Sequence, residues 1–349
     1  PPPPPANSPR WYSSAASDVY KRQDLASVTK IAATTLSIMR LQGDGKIDID
    51  HPLSQYFADL SNSNKKDLVP REIMAHRAGL HPWIPFFEQT LSGTKKKPRP
   101  SSTYYRSTAT GDYTIPVTDK LYMRQDFADS IWQQIIHSEV RVIKVYVYSD
   151  LGFYMLGRTV GQVSGTHIEE FVQNTFYHPL GLKTATYNPW KKYDPVTIVP
   201  SERDQYWRQQ KVQAYVHDMG AAMLGGVSGH AGLFANANDL AILLEMVRRG
   251  GSYGGRRYLK REVIDEFTRR FPGDTRRGVG FDMLELNEEK PANLSRLASN
   301  RAFGHLGFTG TAVWVDPAQD LIFIFLSNRT YPSMYNRKLG KANFRPRVQ

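Results

Sequence analysis

Between Leu25 and Leu41 apolar residues recur at a spacing near 3.6, at Leu25, Ile31, Ala32, Leu36, Met39 and Leu41, until Gly43 and Gly45 end the run. A stretch patterned in this way must lie against a core, and the spacing predicts a buried helix of about five turns. Near the other end, Thr311–Pro317 and Leu321–Asn328 read as two apolar strands joined by a Pro-Ala-Gln-Asp turn, a hairpin buried on both faces, with Gly304–Gly310 leading into its first strand. Any fold for this chain has to bury an early helix and a late hairpin together.

The segments between are readable to different degrees. Pro70–Met74 has the form of a helix start, with Pro at its first position. Val140–Tyr148 is β-branched and aromatic, but Leu151, Tyr154, Met155, Leu156 and Val160 follow at helical spacing, which places Tyr148 on a turn just before a helix. Ile168–Phe176 continues as helix, and Asn238 with Asp239 is expected to cap another that runs to Val247. Residues 85–125 include a long Pro-, Ser-, Thr-, Lys- and Tyr-rich insert, expected to be a loop over one side of the site. Residues 1–23 begin with a proline run and contain Ser13–Gln23, which resembles a translated sequencing adapter. They are set aside as a non-native or disordered leader, with the folded domain at 24–349.

Composition narrows the function classes. Lys and Arg number 45 against 33 Asp and Glu, an excess of 12 concentrated in local runs, which are read as solvated faces and not as a nucleic-acid surface. There is no cysteine, hence no disulfide framework, thiolate metal site or Cys nucleophile. No His-x-x-x-His or His-Glu-x-x-His spacing occurs, so neither a metal nor another cofactor is expected. No apolar stretch has the length of a membrane span.

Ser27-Val28-Thr29-Lys30, at the opening of the first helix, carries the sharpest chemistry. Residues three apart share a helix face, so the Lys30 amine reaches the Ser27 hydroxyl, and the helix start supplies free backbone N–H groups for a developing negative charge. Tyr148 is a second candidate, since a phenol becomes a usable base near pH 7 if a cation such as Lys30 stabilises its phenolate. Asp150 is either a site residue or the cap of the helix that follows. His305 is either structural or part of the site, while His76 and His230 are expected to pack or hydrogen-bond at its edge, and His217-Asp218 has no partner in spacing.

Four stretches, Asp24–Thr34, Glu72–Leu80, Val147–Phe153 and His305–Thr311, resemble in order the motifs of the class C β-lactamase and penicillin-binding protein superfamily of serine hydrolases. The resemblance implies an α/β fold of the β-lactamase/transpeptidase type, a mainly antiparallel sheet flanked by helices plus an all-helical region, truncated at the N-terminus. It implies Ser27 as nucleophile and Tyr148 as the base for acylation and deacylation, tuned by Lys30. Asp150 replaces the family's Asn and His305 its Lys, so a carboxamide donor and a fixed cation are both lost. Gly307 would let substrate approach the strand, and the backbone N–H of Phe308 would join that of Ser27 in the oxyanion hole. Ala75–Phe87, the basic insert and Phe303–Thr311 look most like the domain that Bacteroidetes proteins carry after a family 3 glycoside hydrolase. This implies a periplasmic or extracellular amidase acting on N-acetylmuramyl-L-alanine of a muropeptide, natively fused to such a glycosidase. A small-molecule esterase, a β-lactamase and a non-catalytic penicillin-binding sensor or wall-binding module are the alternatives.

Overall fold

The computed structural model describes residues 21–94 and 96–349. The leader expected at 1–23 therefore lies outside the described residues up to Tyr20; Arg22 bridges to Ile198, and Gln23 already pairs with Ala235. Three short strands, β1 (Gln23–Asp24), β2 (Thr186–Tyr187) and β3 (Leu233–Ala235), form an antiparallel sheet in the order β1-β3-β2. A second antiparallel sheet has the order β4-β5-β6-β7, from β4 (Asp282–Met283), β5 (Phe303–Leu306), β6 (Ala312–Asp316) and β7 (Leu321–Phe325).

The hairpin read from the sequence is β6 and β7, in register from Ala312↔Phe325 to Asp316↔Leu321. Only β6 is buried throughout, whereas β7 is half-buried with Leu321 exposed, because it is the last strand of the sheet. The Gly304–Gly310 stretch does more than lead in, since Phe303–Leu306 is itself the strand between β4 and β6.

The early helix forms where its periodicity places it, but not as one regular α-helix. A 3-10 turn, Ala26–Val28, passes into a π-helical stretch, Lys30–Thr35, and then into α1 (Leu36–Gly43). Helix α2 (Gln125–His137) and helix α3 (Leu151–Ser164) follow, and α1 packs on α3. The close approach is made by glycines: a Cβ on Gly157 of α3 would sit 2.8 Å from Gly229 Cα. This brings the loop before β3 onto the face of α3.

Helix α4 (Ala237–Arg248) packs against β6 and β7. Its cap is Asn236, not the Asn238-Asp239 pair expected: Asn236 Oδ1 accepts from Asp239 N at 2.9 Å. The Asp239 carboxylate is drawn away into a buried bond with Thr184 Oγ1 at 2.7 Å. The other face of this sheet carries a smaller apolar cluster of Leu284, Leu294, Ala302, Ala312 and Trp314.

The described residues of the insert, 85–94 and 96–125, are built largely of short paired strands, not an irregular loop. Leu91–Thr94 pairs with Lys97–Pro100, and Leu121–Arg124 pairs with both Tyr105–Arg106 and Tyr113–Thr118. Its anchor is Tyr105, which is buried against Trp207 with its hydroxyl 3.1 Å from the indole Nε1 and 2.7 Å from Thr90 Oγ1.

Candidate active site

Asp24 and Ala26 set the shape of the chain just before Ser27. Ala26 has φ +46°, a left-handed conformation that is strained for a residue with a Cβ. Asp24 holds that turn: one carboxylate oxygen accepts from Ala26 N at 2.8 Å and the other from His217 N at 2.6 Å. The loop after β5 is fixed to the same segment, because Thr309 Oγ1 donates to Asp24 O at 2.8 Å and Thr311 Oγ1 to Leu25 O at 3.1 Å. Gly307 belongs to this contact, since a Cβ there would meet Leu25 O at 2.6 Å and Thr311 Oγ1 at 2.0 Å. None of Asp24, Ala26, Thr309 or Thr311 was singled out from the sequence. The apolar-run signal stops at Leu25, and a left-handed alanine has no compositional mark.

Lys30 is wholly buried, and its ammonium is fully used. Nζ donates to Ser27 Oγ at 3.0 Å, to Asp150 Oδ1 at 2.6 Å and to His230 O at 3.2 Å. Burial by itself pushes a lysine down, but the Asp150 charge and then Tyr148 outweigh it and hold Lys30 above its ordinary value, so it is an ammonium at neutral pH. Asp150 is the residue before α3, yet its side chain makes no cap hydrogen bond. Its carboxylate is turned to Lys30 instead.

Tyr148 is half-buried beside Lys30, whose Nζ lies 5.1 Å from the ring centroid. The sequence thus brings Ser27, Lys30, Tyr148 and Asp150 to one point. The shift of the phenol runs against the phenolate expected there. Burial first, with the Asp150 charge adding to it, raises the phenol above its usual value against the opposing pull of Lys30. The physical reason is first the loss of water around the hydroxyl, and second that the Asp150 charge offsets part of the pull of Lys30.

His76, expected only at the edge, shapes the Tyr148 turn. Its carbonyl accepts from Val147 N at 3.0 Å, its Nδ1 accepts from Ser149 N at 3.1 Å, and its ring lies 4.4 Å from the Tyr148 ring. Tyr148 is therefore gripped from both flanking residues. His230 is likewise structural beside the site: Nε2 meets Asp218 Oδ1 and Nδ1 meets Ser228 Oγ, each at 2.8 Å, while the ring stacks on Tyr154 at 4.0 Å. His217, which had no partner in spacing, finds Glu202 Oε2 at 3.0 Å.

His305 is buried, with its ring 6.0 Å from that of Tyr148. Nδ1 donates to Leu306 O at 2.7 Å, and burial together with the charges of Arg277 and Lys30 lowers the imidazole to about 3. It is neutral across the physiological range and supplies no positive charge. Phe308 is half-exposed at the mouth of this region, stacked between His217, at 5.7 Å, and the Arg329 guanidinium, at 4.2 Å. Among the described residues no cluster of His, Asp and Glu has the form of a metal site.

Comparison with known proteins bears on the fold and the family. A protein from Salmonella agona named "Putative D-alanyl-D-alanine carboxypeptidase" is 28% identical over 92% of this chain and 72% of its own length. A penicillin-binding protein homologue from Caulobacter crescentus superposes with a TM-score of 0.59 at 18% identity, covering 88% of this chain and 78% of that one. A D-stereospecific amidohydrolase from a Streptomyces species superposes with a TM-score of 0.57 at 16% identity, covering 86% and 80%. Such distant superpositions establish the β-lactamase/transpeptidase-like fold. The Beta-lactamase family model matches residues 20–344, which include the whole length over which the motifs run, and the chain accordingly belongs to the Beta-lactamase family, as a serine hydrolase.

Proposed function

We propose that the protein hydrolyses an amide or ester through an acyl-enzyme on Ser27, and that its natural substrate is a peptidoglycan peptide in the periplasm or outside the cell. The observation that carries the chemistry is the continuous chain from Ser27 Oγ through Lys30 Nζ to Asp150 Oδ1, with contacts of 3.0 and 2.6 Å. Lys30 is the group in direct contact with the attacking hydroxyl. As Lys30 passes a proton to Asp150 it becomes the amine that takes the proton of Ser27, with no net charge created in the buried site. Tyr148, neutral at the start, passes its proton to the leaving group and regains one from Lys30, which in turn recovers the proton held by Asp150. The backbone N–H groups of Ser27 and Phe308 are assigned to the oxyanion.

The substrate class is supported by the name of the Salmonella relative and by the amidohydrolase named among the structural neighbours. A neutral His305 leaves the third motif without a cation for a β-lactam carboxylate, which favours amide or ester substrates over β-lactams. Within that class we assign the lactyl amide of N-acetylmuramyl-L-alanine compounds. The test is a substrate panel of muramyl dipeptide, a peptide ending in D-Ala-D-Ala, p-nitrophenyl butyrate and nitrocefin, with products read by mass spectrometry or absorbance. Release of L-alanyl peptide from muramyl dipeptide faster than nitrocefin turnover is expected. Brisk butyrate hydrolysis with neither peptide cleaved would replace the amidase reading by an esterase.

Asp150→Asn tests the proton route. Without the carboxylate, the largest influence holding Lys30 up is gone and burial prevails, so the Lys30 pKa falls below 10.5. In the variant, kcat/KM for a reporter ester should then rise with pH along the titration of Lys30 to its free amine, whereas the parent should show no such limb up to about pH 9. Superposable pH profiles would remove Asp150 from the route.

A further inference from the structure

Beyond β7 the chain turns through Ser327 and Asn328 into two short helices, Lys338–Lys341 and Phe344–Val348, which lie beside the loop after β5. Between tail and loop is a cavity of about 590 Å³ whose wall includes Phe308, Arg329, Tyr335, Arg337, Lys341 and Arg345. Four of these six are cations. Among the described residues no Asp or Glu lines the cavity or forms an ion pair with any of the four. Glu202 is the acid that acts on Arg329, but its carboxylate is already taken, by His217 Nε2 at 3.0 Å, Tyr206 Oη at 3.0 Å and Met334 N at 2.7 Å.

Two of the cations are fixed to the catalytic loop. Arg329 Nε donates to Phe308 O at 2.7 Å, and its Nη1 to Met334 O and Asn336 O at 3.0 and 2.8 Å. Arg345 Nη1 donates to Thr311 O at 3.1 Å and Gly307 O at 3.3 Å. These are carbonyls of the loop that Thr309 and Thr311 fasten to the Ser27 segment. The other two, Arg337 and Lys341, are exposed, and their side chains make no hydrogen bond or ion pair among the described residues. Burial pushes both the Arg329 and Arg345 guanidinium groups down; the Arg329 charge adds to this at Arg345, while at Arg329 the attraction of Glu202 opposes it. Such a cluster destabilises the free protein and attracts anions.

We infer that this cavity is an anion subsite of the Ser27 site, taking a substrate that carries two or more negative charges beyond the scissile bond, either carboxylates or phosphates. The inference rests on the reading of Ser27 as nucleophile. The guanidinium groups offer paired donors suited to either anion, and Lys341 offers a point charge at the rim. Phe308 and Tyr335 form apolar walls that keep a bound chain aligned. The positive charge missing at His305 is thus met again on the far side of Phe308, where it selects polyanionic substrates over singly charged ones.

The test uses the full chain hydrolysing p-nitrophenyl butyrate at fixed ionic strength, with acetate, citrate or tripolyphosphate as competitor. Competitive inhibition by citrate or tripolyphosphate is expected at a Ki at least about tenfold below that of acetate, and Arg337→Gln/Lys341→Gln should raise that Ki about tenfold. Because tripolyphosphate carries more charge than citrate, whichever of the two binds tighter per unit charge separates a carboxylate from a phosphate subsite. A control of equal charge change, Arg256→Gln/Lys260→Gln, touches residues that do not line the cavity and should leave the Ki and the basal rate unchanged. Equal Ki values for acetate and the polyanions, or equal weakening by both double variants, would overturn the subsite. So would tight binding of a single-stranded oligonucleotide with no response to citrate or tripolyphosphate, which would mark a surface for an extended polymer. If the ester is not hydrolysed at all, the Ser27 reading fails instead. Thermal shifts with the same anions and variants then still report whether the cavity binds them.

Discussion

Ser27→Ala is expected to abolish turnover of every ester and amide substrate, by about 10⁶ in kcat, the scale seen when an acylating serine is removed from its base. The loss of stability should be small, within about 1 kcal/mol, because the hydroxyl contributes one hydrogen bond to Lys30 and that ammonium keeps two other acceptors. Hydrolysis of p-nitrophenyl butyrate, labelling by a fluorophosphonate and thermal melting are to be read on the same samples. Retained turnover with an unchanged melt would remove Ser27 from the mechanism. Labelling of the parent that never turns over would favour a penicillin-binding sensor over an enzyme.

Lys30→Ala and Tyr148→Phe should each slow acylation by about 10² to 10⁴, the range for lost acid–base assistance. The two differ in their effect on the fold. Tyr148→Phe keeps the ring that packs 4.4 Å from His76, so its melting temperature should stay near that of the parent. Lys30→Ala leaves Asp150 facing the site without its cation and opens a gap in the helix start, and it should melt lower. Single-turnover acylation by a fluorogenic ester separates these rates from product release. A Tyr148→Phe protein that acylates like the parent would leave Lys30 and Asp150 as the whole proton route.

The candidate site was legible to the extent that its parts are local in the chain. Ser27 and Lys30 are three residues apart on one helical turn, and Tyr148 and Asp150 lie in one turn before a helix whose periodicity is plain. Taken in order with the stretches at Glu72–Leu80 and His305–Thr311, they carried the resemblance from which the family and the fold were read. The histidines were harder. His76 and His230 act on the site through a ring nitrogen and backbone groups, and nothing in their neighbours along the chain announces the Ser149 amide or the Asp218 carboxylate as partners.

What the sequence alone determined was the identity of the four side chains that meet and the elements that carry them, since helical and strand periodicity and short motif spacings are properties of the chain itself. Tertiary structure decided their ionisation. Tyr148 is held neutral, Lys30 charged and His305 uncharged by burial and by neighbours from other elements, among them Asp150 from the start of α3 and Arg277 from the segment before β4. It also decided the irregular start of the first helix, where Ala26 is held left-handed by the Asp24 carboxylate, and the basic cavity, which joins Phe308 to residues 21 to 37 positions further on. A pKa and a cavity depend on distances through space and on exclusion of water, and neither quantity exists until the chain has folded.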